Sequence, residues 1–177
     1  MQIDRRTALR RLAFVSAGAV FLPSCLSDHS KAAIVLKNLT IDADEERMLA
    51  ELADTLIPSG GTPGAATISA HLFALKMMDE CASPSDQARF MSGLKQFEKT
   101  ASAMNGTSFA ASASSQRERF LSSLESGAST DTDLNSFYST FKRLVIHAYT
   151  SSQYYLTKVQ VYELVPGRWH GCVPVTS

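Results

Sequence analysis

The chain has 177 residues, and its 17 basic and 17 acidic side chains give a formal net charge of zero. This length is enough for one domain with its own hydrophobic core. Residues 1–24 contain four arginines and one aspartate, so the rest of the chain is mildly acidic. The lack of a basic cluster argues against nucleic acid as a partner, and beyond residue 24 no apolar run is long enough to span a membrane.

The first 24 residues have the composition of a bacterial export signal. Arg5 and Arg6 precede an apolar stretch at residues 12–22, which is shorter than the ~20 apolar residues that a membrane-spanning helix needs. Paired arginines before such a stretch indicate the twin-arginine route, which carries already folded proteins. The alternative is the ordinary route for unfolded chains, where the arginines serve only as positive charge. Both routes predict a periplasmic location.

A lipid attachment site and a tether are predicted next. Leu22-Pro23-Ser24-Cys25 resembles a lipoprotein cleavage box, in which the acylated cysteine anchors the protein to a membrane. The alternative is an unmodified Cys25 beside an ordinary cleavage site, or an uncleaved anchor. Residues 25–40 are predicted to be a tether, and residues 41–177 a folded domain.

Two helices are predicted at the start of this domain. Asp42-x-x-Glu45 forms a capping box for the first helix, and Pro58 ends it. Its apolar face repeats at intervals of three and four, with Met48, Leu49, Leu52, Ala53 and Leu56. After a loop at residues 59–64, a second helix is predicted over residues 67–80. Its inward face is Ile68, Leu72, Leu75 and Met78.

Three further helices follow. Ser83 caps the third, with Pro84 at its first position, and its buried stripe is Phe90, Leu94, Phe97 and Ala101. After a loop at residues 105–114, Ser115-x-x-Glu118 opens a short fourth helix that carries Phe120, Leu121 and Leu124. A loop at residues 126–131 precedes the fifth. The clearest stripe defines this fifth helix: Leu134, Phe137, Tyr138, Phe141, Leu144, Val145, Ala148 and Tyr149.

The end of the chain is irregular. Residues 154–164 fit neither helix nor strand clearly, and Pro and Gly interrupt the chain from Pro166. Because no run of alternating strands is present, the sequence predicts an all-α fold. This fold is a small helical bundle with an extended irregular C-terminal arm at residues 162–177.

The sequence lacks the motifs of common catalytic, cofactor and metal sites. It has no Gly-x-Gly-x-x-Gly after a strand and no Cys-x-x-Cys pair. The histidines are scattered and none pairs with another at helical spacing: His29, His71, His147 and His170. His147 is predicted to be a core or interface residue. We therefore predict no catalytic, cofactor-binding or metal-binding residue in this chain.

Two other sets of residues leave alternatives open. Glu51 and Asp54 are a carboxylate pair that could serve acid–base chemistry, but without an evident apolar pocket they are interpreted as a solvated helix edge. Cys81 and Cys172 could bridge each other in an oxidising compartment, or one could bridge a partner. Cys81 lies on a predicted helix and is expected to be a buried free thiol.

Several segments resemble the small subunit of gluconate 2-dehydrogenase-type enzymes. The end of the chain is similar to the family's signature: Tyr162-Glu163-Leu164-Val165-Pro166-Gly167-Arg168-Trp169-His170-Gly171-Cys172. Leu52-Ala53-Asp54-Thr55-Leu56-Ile57-Pro58 and Thr62-Pro63-Gly64-Ala65 resemble its first helix and loop. His147-Ala148-Tyr149-Thr150-Ser151 is similar to its penultimate block, although His147 and Ala148 depart from it. The resemblance spans about residues 42–175.

The resemblance implies a non-catalytic subunit of a larger enzyme. Such subunits accompany a large flavoprotein of the glucose–methanol–choline type, which holds FAD and oxidises a sugar or sugar acid. Electrons leave through a cytochrome c subunit with haem c, or through another acceptor. The small subunit is expected to help the large one mature and to export the folded pair. The alternatives are a stand-alone helical lipoprotein that acts as a scaffold or binding module, and an independent hydrolase or metal enzyme.

The C-terminal arm is the predicted contact with this partner. Pro166-Gly167 predicts a turn, and Arg168 and Trp169 are residue types enriched at binding hot spots. We expect Pro166, Arg168, Trp169 and Cys172 to contact the large subunit, with Cys172 available for an intersubunit disulfide. The alternative is an arm folded back on its own bundle, with Trp169 in the core.

Overall fold

The computed structural model describes residues 32–127, 130–160 and 172. In these ranges the chain forms α-helices and one short π-helical turn, without a β-strand. The helices are α1 (Ala43–Leu56), α2 (Ala70–Cys81), α3 (Pro84–Asn105), α4 (Ser114–Glu125) and α5 (Thr132–Thr150), and the π-helical turn is Tyr155–Val159. The predicted all-α fold is confirmed. The predicted signal and all of the predicted arm except Cys172 lie outside the described residues.

Helices α3 and α5 form the centre of the bundle and pack along each other more extensively than any other pair of helices. Gly93 lies where they cross. A Cβ atom at Gly93 would collide with the backbone oxygen of Asp133 and lie 2.5 Å from the Cβ atom of Phe137. Only glycine permits this approach without a shift of one helix. Helix α2 packs on α5, and α1 contacts α2, α4 and α5.

The core is built around Phe97 of α3. Its ring lies edge to face against those of Phe109, Phe120 and Phe137, with centroid distances of 5.0, 5.1 and 5.5 Å. This geometry sets the positive edge of one ring against the negative face of another. All four side chains are almost completely buried. The predicted stripe of α3 is therefore confirmed, and the cluster also holds the following loop through Phe109, which was not predicted.

The predicted starts of α1 and α3 are confirmed. The Asp42 carboxylate accepts the N–H of Glu45 at 2.8 Å, and the Glu45 carboxylate accepts the N–H of Asp42 at 3.1 Å. The Ser83 hydroxyl accepts the N–H of Asp86 at 3.2 Å, and Pro84 is the first residue of α3. These side chains satisfy backbone N–H groups that have no partner within the helix, which fixes where each helix begins.

The predicted start of α2 is wrong. The helix begins at Ala70 rather than at residue 67, because Ser69 adopts a left-handed backbone conformation with φ of 57°. A right-handed helix cannot continue through that conformation. Ile68 and Leu72, predicted to face inward, are only half-buried. The buried face is Ala70, His71, Ala74, Leu75, Met78 and Asp79.

The predicted capping position of α4 is wrong by two residues, whereas the predicted stripe of α5 is confirmed except at Tyr149. Gln116 accepts the N–H of Ala113 at 3.0 Å, so Ala113 is the capping position and Ser115 lies inside the helix. Asp131 caps α5 by accepting the N–H of Leu134 at 3.0 Å. Every residue of the predicted α5 stripe is buried except Tyr149, which is half-buried.

Residues 32–41 lie against the bundle. Leu39 and Ile41 are buried, and Ile34 and Leu36 pack against the core. Asp79 of α2 accepts the backbone N–H groups of Lys37, Asn38 and Leu39 at 2.8, 2.7 and 2.9 Å. Residues 32–40 of the predicted tether are therefore part of the folded domain, because one carboxylate and a row of apolar side chains give them a fixed place.

Candidate functional site

Most residues that the sequence nominates for function lie outside the described residues: Arg5, Arg6, Cys25, Pro166, Arg168 and Trp169. Their roles in export, lipid attachment and partner binding stay predictions. Cys172 is described, and its thiol is exposed and free.

Cys81 was predicted to be buried, and this is wrong. It is the last residue of α2, where Ala82 turns the chain to an extended conformation with φ of −87° and ψ of 153°. At this end of the helix the thiol is exposed, although Met78 and Asp79 of the preceding turn are buried. Cys81 and Cys172 are both free in the structure, and a bridge from Cys172 to a partner stays a prediction.

The carboxylates of α1 differ from the solvated edge that the sequence predicts. Glu51 forms an ion pair with Arg117 of α4, whose side chain is only 15% exposed. A guanidinium in this position neutralises the carboxylate and ties α1 to α4. Asp54 is half-buried. The pair Glu51 and Asp54 is therefore not a joint acid–base site, because Glu51 serves the packing of two helices.

The two described histidines lie in different environments. His71 of α2 is buried and its Nδ1 atom has no hydrogen-bond partner. Burial lowers the pKa of His71 below its ordinary value, and the nearby carboxylate of Glu46 offsets part of this effect. His147 of α5 is exposed rather than in the core, with its ring 5.8 Å from that of Phe73. An interface role for His147 stays a prediction.

Asp79 is a buried carboxylate that sequence reasoning missed. Burial raises its pKa, but the three N–H donors of residues 37–39 and the charge of Lys76 act in the other direction. The balance leaves the pKa of Asp79 below its ordinary value. Asn38 also donates from its side chain to the backbone oxygen of Asp79 at 2.7 Å. The charge is thus fully used in holding the N-terminal segment.

A cleft with an apolar floor and two arginines lies between α2, α3 and α5. We call it the arginine cleft, and its volume is about 410 Å³. Its floor is made of buried side chains: Met78, Phe90, Phe137 and Leu144. Arg89 of α3 and Arg143 of α5 line it and are exposed, as is the Cys81 thiol. Asp86 adds one carboxylate, which accepts the hydroxyl of Ser83 at 2.7 Å.

A second groove lies between α1, α3 and the loop after α3, with a volume of about 540 Å³. We call it the α1–α3 groove. It contains charges of both signs: Asp42, Asp44, Glu45 and Glu98 beside Arg47, Lys95 and Lys99. Its carboxylates have partners within the chain, because Asp42 and Glu45 cap α1, Asp44 pairs with Arg47, and Glu98 accepts the N–H of Phe109 at 3.3 Å. This groove is thus part of the scaffold.

Arg89 and Arg143 were missed because an isolated arginine on a helix is common on any surface. One feature of the sequence does indicate where these two arginines lie on their helices. Arg89 directly precedes Phe90, and Arg143 directly precedes Leu144, so each lies beside the apolar stripe of its helix. That α3 and α5 bring both arginines to one cleft follows only from how the two helices cross.

No metal site or membrane span is found in the described ranges. Across residues 32–127, 130–160 and 172, no three His, Cys, Asp or Glu side chains are grouped so as to hold a metal ion. None of the helices there has the length and apolar character required to cross a bilayer.

The comparisons with known proteins give one match. Residues 43–167 match the family described as gluconate 2-dehydrogenase subunit 3. No curated protein and no solved structure matches the chain. The matched range begins at the first residue of α1 and includes all five helices, the π-helical turn and part of the predicted arm.

Proposed function

Because the chain belongs to the gluconate 2-dehydrogenase subunit 3 family, we propose that it is the non-catalytic small subunit of a periplasmic FAD-dependent dehydrogenase. The large subunit would be a flavoprotein of the glucose–methanol–choline type that oxidises a sugar or sugar acid. FAD belongs to that subunit, and haem c to a cytochrome subunit that accepts its electrons. The single observation that carries this proposal is the family match across the whole bundle.

The use of charge within the bundle supports a role without chemistry in this chain. A general acid or base needs a titratable group that can reach a substrate. The carboxylates of Asp79 and Glu51 instead hold a chain segment and a neighbouring helix. Glu98 likewise holds the loop that carries Phe109. The clefts between the helices offer surface for binding.

We further propose that the small subunit assists maturation of the flavoprotein and exports the folded pair through Arg5 and Arg6. The twin-arginine route carries folded proteins, so one signal can serve two associated chains. Residues 166–172 would contact the large subunit through Pro166, Arg168 and Trp169. The Cys172 thiol is exposed and not joined to Cys81, which leaves it available for an intersubunit disulfide.

Substitution of the arginine pair tests this role. With both chains co-expressed, Arg5→Lys together with Arg6→Lys should leave the small subunit and the flavin-dependent activity in the cytoplasm. The two lysines keep the positive charge but remove the arginine pair that indicates the twin-arginine route. Arg10→Lys with Arg11→Lys is the matched control, since it makes the same change outside that pair and should allow export. The measurement is the activity in periplasmic and cytoplasmic fractions.

The outcomes separate the parts of the proposal. Normal periplasmic activity in the Arg5, Arg6 variant would refute the escort role. A small subunit that purifies from co-expressing cells without any flavoprotein would refute the subunit role itself. On a gel without reductant, the two wild-type subunits should migrate together, and the two subunits of a Cys172→Ser complex should migrate separately. If the wild-type subunits also migrate separately, the intersubunit disulfide is excluded, but the subunit and escort roles are not.

A further inference from the structure

The arginine cleft holds cations without partners in the described chain. Five of the other described basic side chains form ion pairs: Lys37 and Lys76 with Glu80, Arg47 with Asp44, Arg117 with Glu51, and Lys142 with Glu125. The remaining four, Lys95, Lys99, Arg119 and Lys158, are exposed and form no ion pair with a described residue. Arg89 and Arg143 form no ion pair with any described residue. They come from different helices, α3 and α5, yet line one cleft. Their guanidinium groups are thus available to carboxylates of another molecule.

The floor of the cleft differs in character from its rim. Phe90 and Phe137 lie in the floor with ring centroids 4.9 Å apart, and both are nearly completely buried as residues. Above them the two arginines are exposed. An apolar centre surrounded by a polar, charged rim is the usual anatomy of a protein–protein interface. Arginine is also among the residue types that contribute most to such interfaces.

This arrangement fits a protein segment better than a small molecule. Small-molecule sites enclose their ligand and direct a few buried polar groups at it. Here the charged groups are exposed at the edge. The α1–α3 groove is the larger of the two, but it has four carboxylates and three basic groups, and its carboxylates are engaged within the chain. The arginine cleft has two guanidinium groups against the single carboxylate of Asp86.

We propose that the arginine cleft docks a segment of the large flavoprotein subunit that carries an apolar side chain flanked by carboxylates. The apolar side chain packs against Met77 and Ala82, the half-buried apolar lining of the cleft, and the carboxylates bind Arg89 and Arg143. This inference rests on the proposed function, because it takes the flavoprotein as the partner. It adds a contact on the helical bundle itself, at a distance in sequence from the predicted arm, and gives the chemistry of the segment that binds there.

Charge reversal at the rim tests the proposal. In the co-expressed pair, Arg89→Glu with Arg143→Glu should reduce the flavoprotein bound per small subunit by about tenfold or more, because each substitution places like charges together. Lys95→Glu with Lys99→Glu is the matched control, since it makes the same change in charge at exposed positions of α3 in the α1–α3 groove. It should retain flavoprotein near the wild-type level. The measurement is flavin absorbance in the purified complex.

The results distinguish this proposal from the one on which it rests. If the wild-type chain retains no flavoprotein, the proposed function fails. If the wild type retains it and the Arg89, Arg143 variant retains it equally, only the docking site is overturned. Equal losses in the variant and its control would also overturn the site, because the effect would then follow total charge rather than the cleft.

Labelling of Cys81 gives a second test without any substitution, so it does not depend on whether a variant folds. The thiol is exposed and lines the cleft. A maleimide should modify it at least about tenfold more slowly in the complex than in the isolated full-length chain, because a docked segment excludes the reagent. Mass spectrometry of the Cys81 peptide measures the rate at this site alone. Equal rates in the complex and the isolated chain would overturn the proposal.

Discussion

The N-terminal segment at residues 32–41 and the arginine cleft use charge in opposite ways. In the first region Asp79 is 1% exposed, and three backbone N–H groups satisfy its carboxylate. In the second, Arg89 and Arg143 are exposed above an apolar floor and pair with no described residue. The first region is complete within the chain, whereas we propose that the second is completed by another molecule.

The difference follows from the cost of desolvation. A buried charge without partners is strongly unfavourable, so the chain must supply the partners of Asp79 as it folds. An exposed arginine keeps its water and costs little when unpaired. Substitutions in the first region should therefore change stability, and substitutions at the cleft should change binding.

Asp79→Asn should cause the largest loss of stability. Asparagine has one acceptor oxygen in place of two, and its NH₂ group would face an N–H that Asp79 now satisfies. We expect the melting temperature to fall by about 5–10 °C at neutral pH, together with faster proteolysis in residues 32–41. Thermal unfolding followed by circular dichroism measures the first effect, and mass spectrometry of the fragments measures the second.

Glu80→Gln is the matched control for Asp79→Asn. Glu80 is the next residue and loses the same charge, but it is exposed and forms its ion pairs with Lys37 and Lys76 at the surface. It should change the melting temperature by far less. Because the pKa of Asp79 is lowered in the folded state, its stabilising effect is present above its ordinary pKa and is lost as the pH falls through the folded value. Equal melting temperatures for both variants would contradict the role of Asp79.

Two arginines, Arg117 and Arg89, test the difference between charges that stabilise the fold and charges that serve binding. Arg117→Ala removes a mostly buried guanidinium and leaves Glu51 without its partner, so the free energy of unfolding should fall by about 2 kcal/mol. Arg89→Ala removes an exposed guanidinium and should change it by less than about 0.5 kcal/mol. Urea unfolding of the isolated chain measures both. If Arg89→Ala lowers the free energy of unfolding as much as Arg117→Ala does, then Arg89 stabilises the fold and is not available to bind a partner.

Most of the helical core could be predicted because its signals are local. Spacing of three and four identified the stripes of α3 and α5, and the caps at Asp42 and Ser83 identified where α1 and α3 begin. Such patterns depend on residues within a few positions of each other. The start of α2 was missed because the left-handed conformation of Ser69 has no such pattern.

The sites were harder to predict because they depend on contacts between distant residues. Asp79 binds residues about forty positions earlier, and Glu51 binds Arg117 on another helix. Each looks like an ordinary charged residue on a helix surface. Arg89 and Arg143 meet at one cleft only through the crossing of α3 and α5. The family, by contrast, was evident from short blocks of sequence, and the match over residues 43–167 confirms it.

The smallest effect is a pH dependence from His71, which lies near Glu46 beside the N-terminal segment. Glu46 accepts the N–H of Ile34 at 3.2 Å, and burial lowers the pKa of His71 below its ordinary value of 6.5. The unfolded chain therefore binds a proton that the folded chain does not, so stability decreases as the pH falls through 6.5 and stops decreasing below the folded pKa.

Urea unfolding between about pH 5 and 8 should show this slope of the free energy of unfolding against pH. His71→Asn should reduce the slope, while His147→Asn, which removes an exposed imidazole, should keep it; an unchanged slope in His71→Asn would assign the pH dependence to other groups.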